Sequence, residues 1–341
     1  MSLTVVDNGL LSTDAQYTGM KSRIINGSMV INQRAATVTP ASGSFTYITD
    51  RFAGYPGTSS SVTYSQSSNA PTGFSYSFKA QRPVSNTNTA ASYISQVIES
   101  NNMRDLVGQS ATISFWALAG ANYSSGGVAV YLNTGTVADQ GIATSIGGWT
   151  GYATATSLIF TPTTTWTKYT ATGTIPSNAL EMAILFGYST TGTAGADDSL
   201  YITGVQLEKG STATSFDYRP YGTELALCQR YCPCFSQDAV MSPGSYCLGF
   251  ATSTTNVKAT IPFQVQTRVP PTGVTITNTS NFRLAYSNTA TTPTLFTSSN
   301  NSNNAGQLNI TVPAVLTVGD CVSLTATALG ATKIEFTGCE L

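Results

Sequence analysis

Histidine is missing altogether from the 341 residues, and charge is scarce: 15 Lys+Arg against 16 Asp+Glu make up 9% of the chain, for a formal net charge of -1. Without an imidazole there is no Ser/His/Asp or Cys/His triad, no histidine-ligated zinc and no imidazole proton shuttle. Without a basic surface there are no counterions to displace from phosphates, so no nucleic-acid partner is expected. A disordered chain would combine high net charge with few apolar residues, whereas 41% of this one is hydrophobic. Long apolar runs are lacking too. No segment approaches the roughly 18 apolar residues of a membrane helix, and the first twenty have neither the basic start nor the apolar stretch of a secretory signal. The expectation is a protein that folds in the cytosol where it is made, with no membrane insertion. A Walker loop, a G-x-G-x-x-G after a strand, an EF-hand spacing and a fixed-period repeat are also missing. No cofactor is therefore expected.

Helix formers are the other shortage. Leu, Glu, Lys and Arg are thin, while Ser and Thr are abundant beside 30 Gly and 17 Tyr, a composition suited to half-buried pleated surfaces joined by turns. Strand-length alternating runs recur at Ser61–Gln66, Phe74–Lys79, Tyr93–Glu99, Thr112–Ala119, Val128–Leu132, Leu158–Phe160, Thr167–Ile175, Leu180–Tyr188 and Leu200–Glu208. In Thr167–Ile175 the residues Tyr169, Ala171, Gly173 and Ile175 share one face, the period-2 signature of a half-buried strand. Between Tyr218 and Tyr231 alternation stops, and Pro220, a Thr223 N-cap and Glu224 in the first turn predict one or two helical turns. Strands then resume from Tyr246 to Phe336, interrupted by a polar loop at Thr294–Gly306. The fold class expected is all-β: two jelly-roll-like β-sandwich domains joined by a short helical segment. The domains are placed at residues 1–23 (N-terminal segment), 24–218 (first sandwich), 219–235 (helical linker) and 236–341 (second sandwich), with Phe115, Tyr169, Ile184, Phe186, Val205 and Leu207 in the first core.

What chemistry remains is limited to carboxylates, thiols and aromatics. A glycosidase needs two facing acids, and the acids of the first domain include Glu99, Glu181, Asp197, Asp198, Glu208, Asp217 and Glu224. Glu181 and Glu208 flank strands, where a carboxylate is ordinarily a solvated edge residue, so nothing announces an acid pair and no catalytic residue is assigned. Asp197 and Asp198 sit together in a loop and are a weak Ca²⁺ candidate, since adjacent acids are more often solvated or turn-forming. The cysteines Cys228, Cys232, Cys234, Cys247, Cys321 and Cys339 lack the paired arms of a zinc ribbon and read as buried small hydrophobes; Cys321 and Cys339 fall on the last strands and could be neighbours. Aromatics are the best lead, because sugars stack C–H faces on aromatic rings. Trp116 and Trp166 lie in or beside strand patterns, which favours core packing, whereas Trp149 and Tyr152 occupy the glycine-rich SIGGWTGYATA and Tyr55 the similar AGYPGTS. Trp149, Tyr152 and Tyr55 are the glycan-binding candidates.

Several segments carry a resemblance when taken together: INGSMVINQR (Ile25–Arg34), Asp50–Phe52, SYISQVIES (Ser92–Ser100), ATISFWALA (Ala111–Ala119), TTTWTKYTATGTIP (Thr163–Pro176) and LYITGVQLEKGSTATSFDYRPYGTELALCQRYC (Leu200–Cys232). They resemble a widespread family of bacteriophage virion fibre proteins, most specifically in Gly204–Glu208, Gly210, Ala213, Thr214, Phe216, Arg219, Pro220, Glu224, Leu225, Leu227 and Cys228–Tyr231. GFATSTTNVKATIPFQVQTRVPPT (Gly249–Thr272) resembles the β-domain that follows in these fibres. The resemblance implies a carbohydrate-binding-module-like first domain and a non-enzymatic tail-fibre or head-fibre protein. It also implies location in the virion after assembly in the host cytoplasm, and contact with host surface polysaccharide. With the low surface charge, it suggests a homotrimer packed through Gly222–Phe235, and other virion proteins held through the first twenty residues. The chain departs from the family where Cys232 and Cys234 follow the Q-R-Y. The rival classes are a capsid-decorating or cement protein, a free carbohydrate-binding module and a glycan depolymerase.

Overall fold

The computed structural model describes residues 21–35, 37–237, 244–287, 289–327 and 332–341. The expected N-terminal anchor therefore lies, over residues 1–20, outside the described residues. The chain divides into two compact units between Glu224 and Leu225.

The first unit is built from β1 (Thr37–Val38), β2 (Thr46–Tyr47), β3 (Ala53–Tyr55), β4 (Thr63–Ser67), β5 (Ser77–Gln81), β6 (Ser92–Ile98), β7 (Ser110–Ala119), β8 (Val128–Gly135), β9 (Ala153–Phe160), β10 (Thr167–Thr174), β11 (Glu181–Tyr188) and β12 (Ser199–Lys209). They form two six-stranded sheets, in the orders β1-β4-β5-β12-β7-β10 and β2-β3-β6-β11-β8-β9. The chain changes sheet repeatedly, from β10 to β11 to β12 for instance, so the two layers are wound together as in a jelly roll. Phe115 of β7 meets Phe186 of β11 edge-on at 4.9 Å, which joins the layers across the core. Phe115, Ile184, Phe186, Val205 and Leu207 are buried as expected. Tyr169 is only half-buried, because β10 is the edge strand of its sheet.

The burial strings follow the sequence pattern. Along β10 half-buried and exposed residues alternate strictly, as the Tyr169/Ala171/Gly173 spacing predicts. Every residue of β11 is buried: its inner face packs in the core, and on its outer face the side chains of flanking strands, Tyr93 and Tyr131 among them, stand over the small Gly187. Trp116 points away from the core that holds Phe115 and Ala117, and Trp166 is half-buried with its indole N–H donating to Asn69 Oδ1 at 3.2 Å. The expectation that both tryptophans pack in the core is corrected: Trp116 falls on the outward face because side chains in a strand alternate, and Trp166 precedes β10 in the connecting segment.

The helix α1 (Tyr221–Gln229) starts directly after Pro220, whose carbonyl accepts from the amides of Thr223 and Glu224. Thr223 is thus inside the helix and is not its N-cap. Of the segment expected at a trimer contact, Cys228, Tyr231 and Cys232 are buried within the single chain. The second unit comprises β13 (Cys234–Gln237), β14 (Ser245–Ala251), β15 (Asn256–Pro262), β16 (Gly273–Thr277), β17 (Phe282–Tyr286), β18 (Thr289–Thr291), β19 (Leu295–Ser299), β20 (Ala305–Thr311), β21 (Cys321–Ala326) and β22 (Thr332–Thr337). These make a three-stranded sheet, β13-β22-β16, and a seven-stranded one, β18-β17-β21-β14-β15-β20-β19, around Phe282, Leu284, Leu308, Ile310, Ile334 and Phe336. The polar loop expected at Thr294–Gly306 is instead a hairpin, with β19 at the sheet edge, where a polar strand can face water on one side. Cys321 is exposed and Cys339 buried, and both are free thiols, Cys339 Sγ lying 3.3 Å from the Val269 carbonyl.

Candidate functional site

Outward-facing residues of the second sheet of the first unit line up across five strands. Tyr55 of β3 is in register with Tyr93 of β6, Tyr93 with Gly187 of β11, Gly187 with Ala129 of β8, and Ala129 with Ile159 of β9. The middle of this row is small and its ends are large, so the sheet surface is hollowed. A groove of about 600 Å³ results, floored by Gly187, Ala129 and Leu185 and walled by Tyr93, Tyr131, Tyr152 and Ile159. Gly187 is required here: a Cβ at that position would lie 2.9 Å from Cε1 of Tyr93 and 3.8 Å from Cε2 of Tyr131. The Tyr55 ring extends the aromatic strip, 5.7 Å from Tyr93 and 4.9 Å from Phe45. Burial raises the Tyr93 phenol above its ordinary pKa, helped by the neighbouring phenols of Tyr131, Tyr55 and Tyr152.

One wall comes from the segment between β8 and β9, residues 136–152, folded back over the outward face of the same sheet. Asn133, on the outward face of β8, donates from Nδ2 to the Ser145 carbonyl. The Gln140 amide donates to Glu181 Oε2 at 2.8 Å, and the Thr150 amide to Gln140 Oε1. Trp149 is the plug: its ring covers Gly135, where a Cβ would come 3.3 Å from that of Trp149, and its indole N–H donates to the Gly141 carbonyl at 3.1 Å. This packing explains why outward-facing Ala183 and Asn133 are buried. It carries Ile146 and Tyr152 to the rim of the groove.

The three aromatic candidates therefore separate. Trp149 is 3% exposed and is corrected from a sugar platform to the anchor of the wall, because a large apolar ring finds more surface under the loop than above it. Tyr152, 38% exposed, lines the groove, and Tyr55 flanks it through Tyr93. Tyr93, Tyr131, Leu185, Gly187 and Ile159 were not among the candidates. The available signal was period 2: Tyr93 and Tyr131 alternate with the core-facing Ile94 and with Val130 and Leu132, in SYISQVI and VAVYLN, and so stand at outward positions.

Asp197, Asp198, Glu181, Glu208 and Glu224 are each engaged by donors of the chain itself. Asp198 is buried and pairs with Arg82 at 2.9 Å while also accepting from the amide and hydroxyl of Ser124. Asp197 accepts from the Ala121 amide and the Ser199 hydroxyl, and the Ser199 hydrogen bond is the main cause that lowers its pKa. With the Asp198 oxygens committed to these partners, the weak Ca²⁺ assignment of Asp197 and Asp198 is withdrawn. No cluster of three or more metal-ligating side chains occurs among the described residues. Glu181 and Glu208, expected at solvated edges, are both fully buried. Glu208 accepts from Gln206 Nε2 and from the amide and hydroxyl of Thr214, and Gln206 Oε1 accepts from the Asp217 amide. Arg219 donates to the carbonyls of Ser22 and Ile24 and pairs with Glu224, which also accepts from the Asn26 amide. The G-V-Q-L-E…A-T-x-F…R-P…E-L motif thus ties the chain after β12 to β12 itself and to residues 22–26. It is a clip, placed away from the groove lining.

No protein-family profile matches the chain, and no similar curated protein was found. Among solved structures, a CBM4 module is 19% identical over 39% of this chain and 71% of its own, with a TM-score of 0.27. A C-terminal family 22 carbohydrate binding module from Clostridium thermocellum is 14% identical over 51% of this chain and 100% of its own, with a TM-score of 0.33. The enzymatically active domain of tailspike protein 4 of bacteriophage CBA120 is 16% identical over 55% of this chain and 21% of its own, with a TM-score of 0.34. Likeness at this level adds nothing to the reading of the groove, which rests on its own residues.

Proposed function

We propose that the chain is a non-enzymatic surface appendage of a bacteriophage particle whose first β-sandwich binds host glycans in the groove of Tyr93, Tyr131 and Tyr152. The observation that carries the binding half is the row Tyr55–Tyr93–Gly187–Ala129–Ile159, a hollowed strip with phenols along its sides. Four interstrand steps of about 4.8 Å give a strip of roughly 19 Å, long enough for several sugar rings laid across the strands. Tyrosine suits the task because its ring stacks on C–H faces and its hydroxyl pairs with sugar hydroxyls. The groove lining has no carboxylate, which supports a binding role over the acid pair of a glycoside hydrolase. The virion half is supported by the motif resemblance, as are a homotrimer and attachment through the N-terminal residues. Single-site glycan contacts are weak, and several copies on one particle would supply avidity without new contacts.

The test has two arms. Purified protein on a bacterial glycan array is expected to bind a subset of glycans, and Tyr93→Ala to lose about ten-fold or more in affinity, as removal of one stacked aromatic does. Immunogold labelling of phage particles is expected to decorate a tail or head appendage. Array binding untouched by Tyr93→Ala defeats the groove assignment, and particles that never label defeat the virion assignment. Labelled particles without any glycan binding leave a decorating protein with no receptor role.

A further inference from the structure

The groove also contains information about which glycans suit it. Its lining includes no Asp, Glu, Lys, Arg, Asn or Gln. Hydrogen bonding is left to the phenols, to Ser189 and to backbone at Gly126 and Gly127. The neighbouring hollow formed by Ser59 and residues 85–90 has no charged side chain either, and its two side-chain amides are engaged within it, Asn86 Oδ1 accepting from the Asn88 backbone amide and the Asn88 side chain donating to the Ser59 carbonyl and accepting from the Ala90 amide. Between the phenols the surface is aliphatic. Ile159 stands 77% exposed at the end of the row, with Ile146, Leu185 and Ala129 beside it. An isoleucine held in water on a strand otherwise rich in Thr and Ser, ATATSLIF, is the residue that a ligand would cover.

A fully hydroxylated hexose offers vicinal hydroxyl pairs that need bidentate partners such as Asn, Asp or Arg, and hydroxyls desolvated without a partner weaken binding. An acidic sugar needs a cation, and this lining has none. A methyl group on the ring has the opposite requirement, an aliphatic or aromatic surface to lie against. The geometry points to a preference for uncharged glycans whose pyranose rings carry methyl groups, from a 6-deoxy carbon or from an acyl substituent, over fully hydroxylated or acidic chains. The inference rests on the groove being the glycan site. Each methyl buried against Ile159 or a tyrosine face is expected to raise affinity about four-fold, equivalent to about 0.8 kcal/mol per buried carbon.

The experiment is calorimetric titration of the intact protein with matched neutral oligosaccharides. One pair is O-acetylated and chemically de-O-acetylated; a second is a 6-deoxyhexose oligomer and its hexose counterpart; a uronic-acid oligomer is the fifth ligand. Variants Ile159→Gln and Tyr93→Ala are run beside the wild type. Ile159 is exposed, so its replacement leaves the fold intact, which thermal melting checks. The wild type is expected to prefer the methyl-bearing member of at least one pair by four-fold or more and to ignore the uronic oligomer. Which pair discriminates identifies the source of the methyl. Ile159→Gln is expected to abolish that preference while retaining residual binding, and Tyr93→Ala to weaken all binding. Equal affinity within both pairs, or tighter binding of the uronic oligomer, with Tyr93→Ala still deleterious, overturns the methyl preference and leaves the groove as the glycan site. Binding indifferent to Tyr93→Ala defeats the site itself. A wild type that binds no oligomer but self-associates through the groove, with loss of association in Ile159→Gln, also overturns the proposal in favour of a second copy as occupant.

Discussion

Replacing Trp149 by Ala separates two accounts of an aromatic in a glycine-rich loop. As the plug beneath residues 136–152, Trp149 holds the wall that brings Ile146 and Tyr152 to the groove. Truncation of a packed Trp to Ala costs about 3–5 kcal/mol when the surrounding structure cannot collapse. If the loop were inseparable from the sandwich, this would lower Tm by about 6–20 °C, at about 2–4 °C per kcal/mol for a unit of this size. A surface loop can open alone, however, and the global cost cannot exceed the free energy of that opening. The larger effect is therefore expected in hydrogen exchange at Thr136, Gly148 and Tyr152, whose amides bond to Thr150, Thr144 and Trp149 carbonyls within the loop. About 3 kcal/mol corresponds to roughly hundred-fold faster exchange at these amides, with glycan affinity falling alongside as the wall loosens. Trp149→Phe keeps an apolar plug and is expected to retain most of both. Lost affinity with unchanged loop exchange would refute the anchor and return Trp149 to direct ligand contact. Unchanged exchange and unchanged affinity would show that the polar ties from Asn133 and Glu181 hold the wall unaided.

Other perturbations test the frame around the groove. Asp198→Ala strands the buried Arg82 guanidinium and is expected to destabilise the first unit by about 3–5 kcal/mol in urea titration, whereas Asp105→Ala, at the exposed pair with Arg23, should cost under about 1 kcal/mol. Gly204 adopts φ +60 at the irregularity in β12, and an added Cβ would meet Phe74 Cζ at 2.7 Å; Gly204→Ala is expected to cost about 1–3 kcal/mol by the same assay. Burial raises the phenol pKa of Tyr64, Tyr123 and Tyr188 above 10.0, so above that pH the unfolded chain releases protons that the native one retains. Stability is therefore full below about pH 10 and falls above it by up to about 1.4 kcal/mol per pH unit for each group, giving cooperative phenolate absorbance at the alkaline transition; graded titration of all tyrosines in the folded state would contradict this. Cys247 is buried with its thiol pushed up to about 12, while Cys321 is exposed, so maleimide at pH 7.5 is expected to label Cys321 well before Cys247, as read by peptide mass mapping.

Class and strand positions were legible in the chain because they depend on short-range pattern. The strict alternation through Thr167–Thr174 can satisfy a two-faced strand and little else, and the lack of histidine closes off imidazole chemistry in any fold. Tyr152 was recoverable from its glycine-rich surroundings. Trp149, three residues away in the same surroundings, was not, because whether a loop aromatic faces water depends on what surface lies beneath the loop. Here that surface is Gly135, on a strand that precedes it in the chain. The groove was less legible still. Tyr55, Tyr93, Gly187, Ala129 and Ile159 are scattered over more than a hundred positions, and only the strand order β3-β6-β11-β8-β9 and its register set them in one row. The same holds for Glu181 and Glu208, which local pattern places at solvated strand ends and tertiary packing buries among amide and hydroxyl donors. Sequence by itself determined the periodicity, the neutral surface and the chemistry that is excluded. Tertiary structure alone decided which outward residues share a hollow and which are covered, because a register between distant strands is a long-range choice that no local window contains.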